Sequence, residues 1–358
     1  MNRAERRKQN KISKMSKTRA AVTDNDKIVV IQKEPIPSAP TPPERPLPET
    51  FPESGDGPQH DGLLRQEAED AKQLERDLQS SVYMKYPKEV HIETQTVCNA
   101  ACSFCPYPSL DRIGNKMSDS LINKIIKDLE DIPKEVRFWI NPFKVNDPLL
   151  DVRLFDILRE CNNRLSNAQL RIFTNGSALT KKHLLSIAGV KNIEHLWISL
   201  NHYDSREYEA LMQLPFKRTI ENLDVAHQLK ANGDITYDIV VSRVADGTDA
   251  DQIFYSSVTH RYPLFKCFII KQDGWLGSNK NQIVNPNIPK TKCERWYELS
   301  ITSTGIVSLC CMDGHAAYPI GDVSSRHVIE VYNDPAYRKM RQGNMDRLSY
   351  SPCSQCSH

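Results

Sequence analysis

The sequence lacks the features that mark several common protein classes. No apolar run approaches the roughly 18–20 residues that span a bilayer. The basic start, "MNRAERRKQNKISKMSKTRA", lacks the apolar core of a secretory signal. There is no glycine-rich loop of the dinucleotide or P-loop type. Charge of one sign is missing too: 47 Lys and Arg against 45 Asp and Glu leave +2, which gives no general attraction to nucleic acid or to a membrane surface. The expected setting is the cytoplasm, where ten cysteines read as metal ligands or reactive thiols rather than disulfides. Apolar residues are also scarce at the start. "EPIPSAPTPPERPLPETFPESGDGPQ" is too rich in proline to build a core, so residues 1–86 read as a disordered tail, with a helix possible at 63–78.

From Val90 onward, strands and helices alternate. Strands are expected at 90–96, 135–140, 169–175, 195–201, 236–244 and 264–270. Between them lie helical stretches such as "SDSLINKIIKDLEDI", with Ser118 as its N-cap, "RLFDILRECNNRL", "TKKHLLSIAG" and "FKRTIENLDVAHQLKANG". Six β-α units predict an α/β fold: a partial (β/α)6 TIM-like barrel over 87–287, with its site after the strands. Beyond that the alternation stops. Residues 288–358 read as a small domain, with a hairpin of strands 297–302 and 306–311 around Thr304-Gly305 and one helix over "SSRHVIEVYNDPAYRKMRQGN". So little regular structure calls for a metal staple.

Cysteine, absent from the first 97 residues, then comes in two sets. Cys98, Cys102 and Cys105 sit inside eight residues just after the first strand. A structural zinc site takes four ligands, and an electron-transfer iron–sulfur cluster normally takes four thiolates. Three thiolates suit a cubane with one iron open to an outside ligand. Cys293, Cys310, Cys353 and Cys356 form the second set, and with no histidine among them the chemistry leaves zinc and a [4Fe–4S] cluster both open. Cys311 beside Cys310 is an alternative ligand or a free thiol, while Cys161 and Cys267 read as small buried apolar residues. His91, His202, His315 and Trp275 read as structural or solvated.

The spacing CxxxCxxC, with aromatic Phe104 before the last cysteine, resembles the radical S-adenosylmethionine (SAM) family. The resemblance implies that the three cysteines hold a [4Fe–4S] cluster whose fourth iron SAM chelates, and that one electron then yields a 5′-deoxyadenosyl radical. It places SAM contacts at Asn146 and Asp147 (where the family often has Gly-Gly-Glu-Pro), at Thr174 and Asn175, at Ser199 and Asn201, and at Ser242 and Arg243. The second set, C-x11-G-x4-C with a later CxxC, is similar to the twitch form of the SPASM extension, which holds one auxiliary [4Fe–4S] cluster.

The resemblance further implies an oxidoreductase-type enzyme of natural-product biosynthesis. It would abstract a substrate hydrogen atom and pass a second electron to the auxiliary cluster, after reduction by a flavodoxin or ferredoxin. An epimerase is the alternative, with Cys311 or Cys267 as hydrogen donor, and so is a peptide maturase forming a crosslink. The proline-rich tail does not look like a leader-binding module, which favours a small molecule over a peptide as substrate.

Overall fold

The computed structural model describes Leu78, 81–278, 291–342 and 346–356. The expected helix at 63–78 and most of the expected tail lie outside these residues, as does the expected boundary at 287. Residues 81–86 belong to the folded body rather than to a tail, and they correct the expected limit. Tyr83 donates its hydroxyl to the Arg137 carbonyl at 2.8 Å and accepts at its own carbonyl from Tyr332 at 2.6 Å.

Six parallel strands run in chain order: β1 (Glu89–Ile92), β2 (Phe138–Asn141), β3 (Ala168–Thr174), β4 (Ile193–Ser199), β5 (Asp238–Val244) and β6 (Lys266–Ile270). Helices α1 (Asp119–Leu129), α2 (Leu154–Arg164), α3 (Lys181–Ala188), α4 (Ser205–Met212), α5 (Phe216–Ala231) and α6 (Asp249–Arg261) connect them, giving the expected partial barrel. Sequence patterning missed α4 and α6. Both are dominated by polar residues, and both are anchored by side-chain caps, Asp204 to the Arg206 and Glu207 amides and Thr248 to Ala250.

Alternation along the strands sorts two faces. Ile140, Leu170, Ile172, Leu196, Ile198, Ile239 and Val241 pack against the helices and are essentially inaccessible. The intervening residues turn to the concave side and are polar or aromatic: Glu89 and His91 on β1, Trp139 and Asn141 on β2, Arg171 and Phe173 on β3, Trp197 and Ser199 on β4.

The C-terminal segment continues the sheet of the barrel. Its first strand, β7 (Glu298–Ile301), pairs in parallel with β1 from Glu89↔Glu298 through Ile92↔Ile301. Strands β8 (Ile306–Ser308) and β9 (Pro319–Asp322) follow antiparallel, so one nine-stranded sheet runs β6-β5-β4-β3-β2-β1-β7-β8-β9. The β7–β8 turn closes at Gly305, whose φ of +91° suits glycine. The single helix expected after it is two, α7 (Val328–Tyr332) and α8 (Pro335–Arg341). Pro335 lacks an amide hydrogen and bars helix at the residue before it, and Asp334 caps the second piece through the Ala336 amide at 3.2 Å. Among the described residues no helix is long and apolar enough to cross a membrane.

Candidate functional site

The loop carrying Cys98, Cys102 and Cys105 leaves the top of β1 and is held from three sides. The Ala101 and Ser103 amides donate to the carbonyls of Met212 and Leu211 at the end of α4, at 3.3 and 3.2 Å. The Cys105 amide closes a turn on the Cys102 carbonyl at 3.0 Å. Asn175, at the top of β3, donates to Asn99 Oδ1 at 2.8 Å. The thiols face one another: burial first, then Cys105 and Cys98, push the Cys102 thiol far up. Burial pushes Cys98 to about 12, with Asp147 adding to it, and burial pushes Cys105 to about 11. Three clustered thiols that burial would keep protonated become thiolates only beside a strong cationic centre, so this donor set fits iron.

Next to this loop a cleft of about 170 Å³ opens between Ser103, Phe104, His202, Arg243, Asp246 and Gln272. Phe104 and Arg243 both line this cleft. The Arg243 guanidinium, however, is 1% exposed and already engaged with Asp251 at 2.7 Å, with Asp246 and with the Asn201 carbonyl. Ser242 is buried and accepts from Trp197 Nε1 at 2.7 Å. Ser199 is half-buried at the end of β4, beside Ser242 in register. Asn201, with φ +64°, accepts from the Val244 amide at 3.0 Å and donates to Met212 Sδ at 3.2 Å.

Asp147 differs most from expectation. Its carboxylate is 2% exposed and receives the Leu149 amide at 3.0 Å, the Thr174 hydroxyl at 2.9 and 3.1 Å, and the Asn175 amide at 2.9 Å. With those donors around it, the acid acts as a strut beneath the Thr174-Asn175 corner. Asn146 accepts from the Lys144 amide at 3.0 Å, and its own Nδ2 is buried without a partner.

The second cysteine set converges on one small cavity, about 10 Å³, lined by Cys293, Cys310, Cys353 and Cys356 with Arg295, Trp296, Met312 and Arg347. Four buried or half-buried thiols around one space fit a four-thiolate cluster, and burial pushes Cys293 to about 12 in the same way as the first set. Cys310 lines this cavity and Cys311 does not. Cys311 instead approaches His91 and Glu298, with the sulfur, imidazole nitrogen and carboxylate oxygen all within 4.8 Å. His91 Nε2 lies 3.3 Å from Glu89 and 3.4 Å from Glu298. Arg295 meets Glu298 and Arg171 meets Glu89, each at 3.3 Å, so the two carboxylates are balanced by two guanidinium groups. Cys267 is a correction. It pairs with Val241 and packs on the helix side of β6, opposite the face that carries Phe268, so the structure separates it from any radical chemistry inside the barrel.

Sequence reading missed several concave-face residues. Glu93 is fully buried and bound by both Arg112 Nε (2.7 Å) and Nη2 (2.9 Å), and it also accepts from the Ser303 amide at 3.1 Å, which ties the β7–β8 turn to the segment before Cys98. Phe143, Phe173, Trp197 and Phe268 stack in succession at 5.4, 5.7 and 5.7 Å across the strands. Lys144 is buried against the carbonyls of Cys310 and Cys311. A signal was there for the β1 residues: Glu89, His91 and Glu93 alternate with Val90 and Ile92.

Residues 92–246 match the model of the radical SAM superfamily, and residues 293–357 match that of SPASM, an iron-sulfur cluster-binding domain. The chain belongs to the radical SAM superfamily and carries a C-terminal SPASM domain. It is therefore an enzyme whose cofactors are a [4Fe–4S] cluster with SAM and an auxiliary iron–sulfur cluster. Among solved structures, the chain resembles BtrN in complex with AdoMet and 2-DOIA (16% identity, 76% of this chain and 94% of that one, TM-score 0.52). It is also similar to Streptococcus suis SuiB bound to the precursor peptide SuiA (15% identity, 87% and 77% covered, TM-score 0.58) and to native anSMEcpe with bound AdoMet (12%, 70% and 82%, TM-score 0.54). At these identities the likeness is one of fold. No curated protein matches the chain.

Proposed function

We propose that this enzyme carries out a two-electron oxidation of a small molecule or a peptide residue. When bound, the [4Fe–4S] cluster with SAM supplies a 5′-deoxyadenosyl radical, and the auxiliary cluster supplies a sink for one electron. A substrate oxidised in this way would lose one C–H hydrogen atom, one O–H or N–H proton and one electron and gain a C=O or C=N bond; Cys98, Cys102 and Cys105 would hold the group that takes the hydrogen atom, and Cys293, Cys310, Cys353 and Cys356 the one that takes the electron. The observation that supports this reading is the pairing of β7 with β1, which puts the three-thiol loop and the four-thiol cavity on neighbouring strands.

In this reading Cys98, Cys102 and Cys105 hold the first cluster and Cys293, Cys310, Cys353 and Cys356 the second. Phe104, Ser199, Asn201 and Ser242 border SAM. Asp147, through Thr174 and Asn175, keeps the loop in place, and Arg243 shapes the cleft from its pairing with Asp246 and Asp251. His91, on the concave face between Glu89 and Glu298, is the chain's candidate to receive the proton. In this reading the folded body starts at residue 81, the barrel reaches to 287 and the cluster domain covers 288–358, in a cytoplasmic enzyme reduced by a flavodoxin or ferredoxin.

The test starts from anaerobically reconstituted protein, which should hold about eight irons per chain, falling to about four in Cys102→Ala and in Cys353→Ala. Dithionite and SAM should give 5′-deoxyadenosine with the wild type and not with Cys102→Ala, and an accepted substrate should lose two hydrogens by mass. Full iron loading without 5′-deoxyadenosine would refute the reading. The position of Cys311, outside the four-thiol cavity and beside His91, favours one alternative: epimerisation by hydrogen-atom donation from its thiol. Turnover in deuterated water separates the two, since epimerisation keeps composition and gains one deuteron.

A further inference from the structure

Lys144 is 1% exposed, and its ammonium is surrounded by oxygen: Ser300 Oγ at 2.9 Å, Ser308 Oγ at 2.8 Å, the Cys310 carbonyl at 3.3 Å and the Cys311 carbonyl at 3.5 Å. All four are neutral. The carbonyls can only accept, and Ser308 sends its own proton toward the Cys310 carbonyl at 3.0 Å or the Ser300 carbonyl at 3.2 Å, leaving a lone pair for Nζ. That set of acceptors matches the N–H donors of an ammonium. A buried cation is costly unless negative charge lies near, and here Glu93 and Asp313 act on it together with Cys311 and Cys310. A [4Fe–4S] cluster held at the four-thiol cavity would add to them, because four thiolates outweigh the charge of an oxidised core.

The same short segment reaches the other site. The Lys144 amide donates to Asn146 Oδ1 at 3.0 Å, and the Asp147 amide donates to the carbonyl of Val97, next to Cys98, at 2.9 Å.

We propose that Lys144 sets the reduction potential of the auxiliary cluster, making that cluster a better electron acceptor. A fixed positive charge stabilises the reduced cluster, which is one unit more negative, more than it stabilises the oxidised one, so the potential rises. Lys144 acts through the Cys310 backbone and the local field rather than by touching substrate; it is a positioning residue. The assignment rests on the reading that Cys310 ligates an electron-accepting cluster.

The experiment is a redox titration followed by electron paramagnetic resonance on full-length reconstituted protein, using the response to added SAM to tell the first site's signal from the second. At the potential where the wild-type auxiliary cluster is half reduced, Lys144→Met should show a reduced-to-oxidised ratio at least ten-fold lower, equivalent to a 59 mV more negative potential for one electron. Lys144→Arg should stay within about three-fold of wild type. Ser300→Ala, which removes one acceptor and keeps the charge, should do the same. If Lys144→Met does not accumulate folded, Lys144→Gln carries the measurement. A charge-removing variant with full iron and a ratio within two-fold of wild type would overturn the proposal, as would a ten-fold shift in Ser300→Ala. Wild-type protein with no second cluster signal would instead refute the two-cluster reading, so the two failures are distinct.

Discussion

Replacing Asp147 tests whether its carboxylate is a structural strut or a SAM ligand. In Asp147→Ala, the Leu149 and Asn175 amides and the Thr174 hydroxyl lose their acceptor in a buried setting. Each stranded donor costs about 1–3 kcal/mol. The threonine hydroxyl can rotate away, so two backbone amides dominate, at about 2–6 kcal/mol. Burial raises the Asp147 carboxyl above its ordinary range, against the lowering effect of its hydrogen bonds, so removing it also relieves some desolvation. The expected net loss is about 2–4 kcal/mol. With an m-value of about 2–3 kcal/mol/M, the urea midpoint of the reconstituted protein should fall by about 1–2 M. SAM affinity, measured in buffer where the variant is folded, should fall by less than about ten-fold, about 1.4 kcal/mol. A variant with a wild-type midpoint and SAM binding weakened about a hundred-fold would refute the strut and restore the acid as a direct SAM partner.

Two further outcomes are expected. Burial, then Arg171, push His195 down to about 4, so it stays neutral in the folded chain while the unfolded chain takes up a proton below about 6.5. Its contribution is therefore intact above that value and is lost as pH falls toward 4. Discounted for partial exposure, the loss is about 1 kcal/mol by pH 5, read as a urea-midpoint slope that His195→Phe should abolish. Gly176, at φ +76°, has no room for a side chain, because an added Cβ would stand 2.9 Å from Ile198 Cγ2. Gly176→Ala should cost about 1–3 kcal/mol, while Gly233→Ala, at φ +79° with nothing within 4 Å, should show the backbone part alone.

The six barrel strands were legible because each is an apolar run between turn residues, and β1 through β6 fall within a few residues of the expected ranges. The two groupings of thiols stood out by spacing, while the membership of the second came from the family resemblance and left Cys310 and Cys311 undecided. What the sequence hid was mostly non-local. Nothing in "ELSI" says that it adds to a strand two hundred residues earlier, because parallel pairing leaves no short-range mark. Lys144 carried no signal in the sequence, since burial of a cation is decided by what closes over it, here β7 and β8. The hydrogen bonds of Asp147 to Thr174 and Asn175 were hidden because their donors stand at the end of another strand. Cys267 was a local error: its face follows from simple alternation with Phe268.

The ladder from Glu89↔Glu298 to Ile92↔Ile301 also limits how the molecule can move. Two lobes joined by a flexible linker can open like a clamshell around a guest, but these halves share backbone hydrogen bonds along a common seam. Parting them would break that seam together with the Glu93–Ser303 latch at its upper end. A guest molecule therefore has to enter a frame of fixed width, and any gating motion belongs to side chains and loops around the rim.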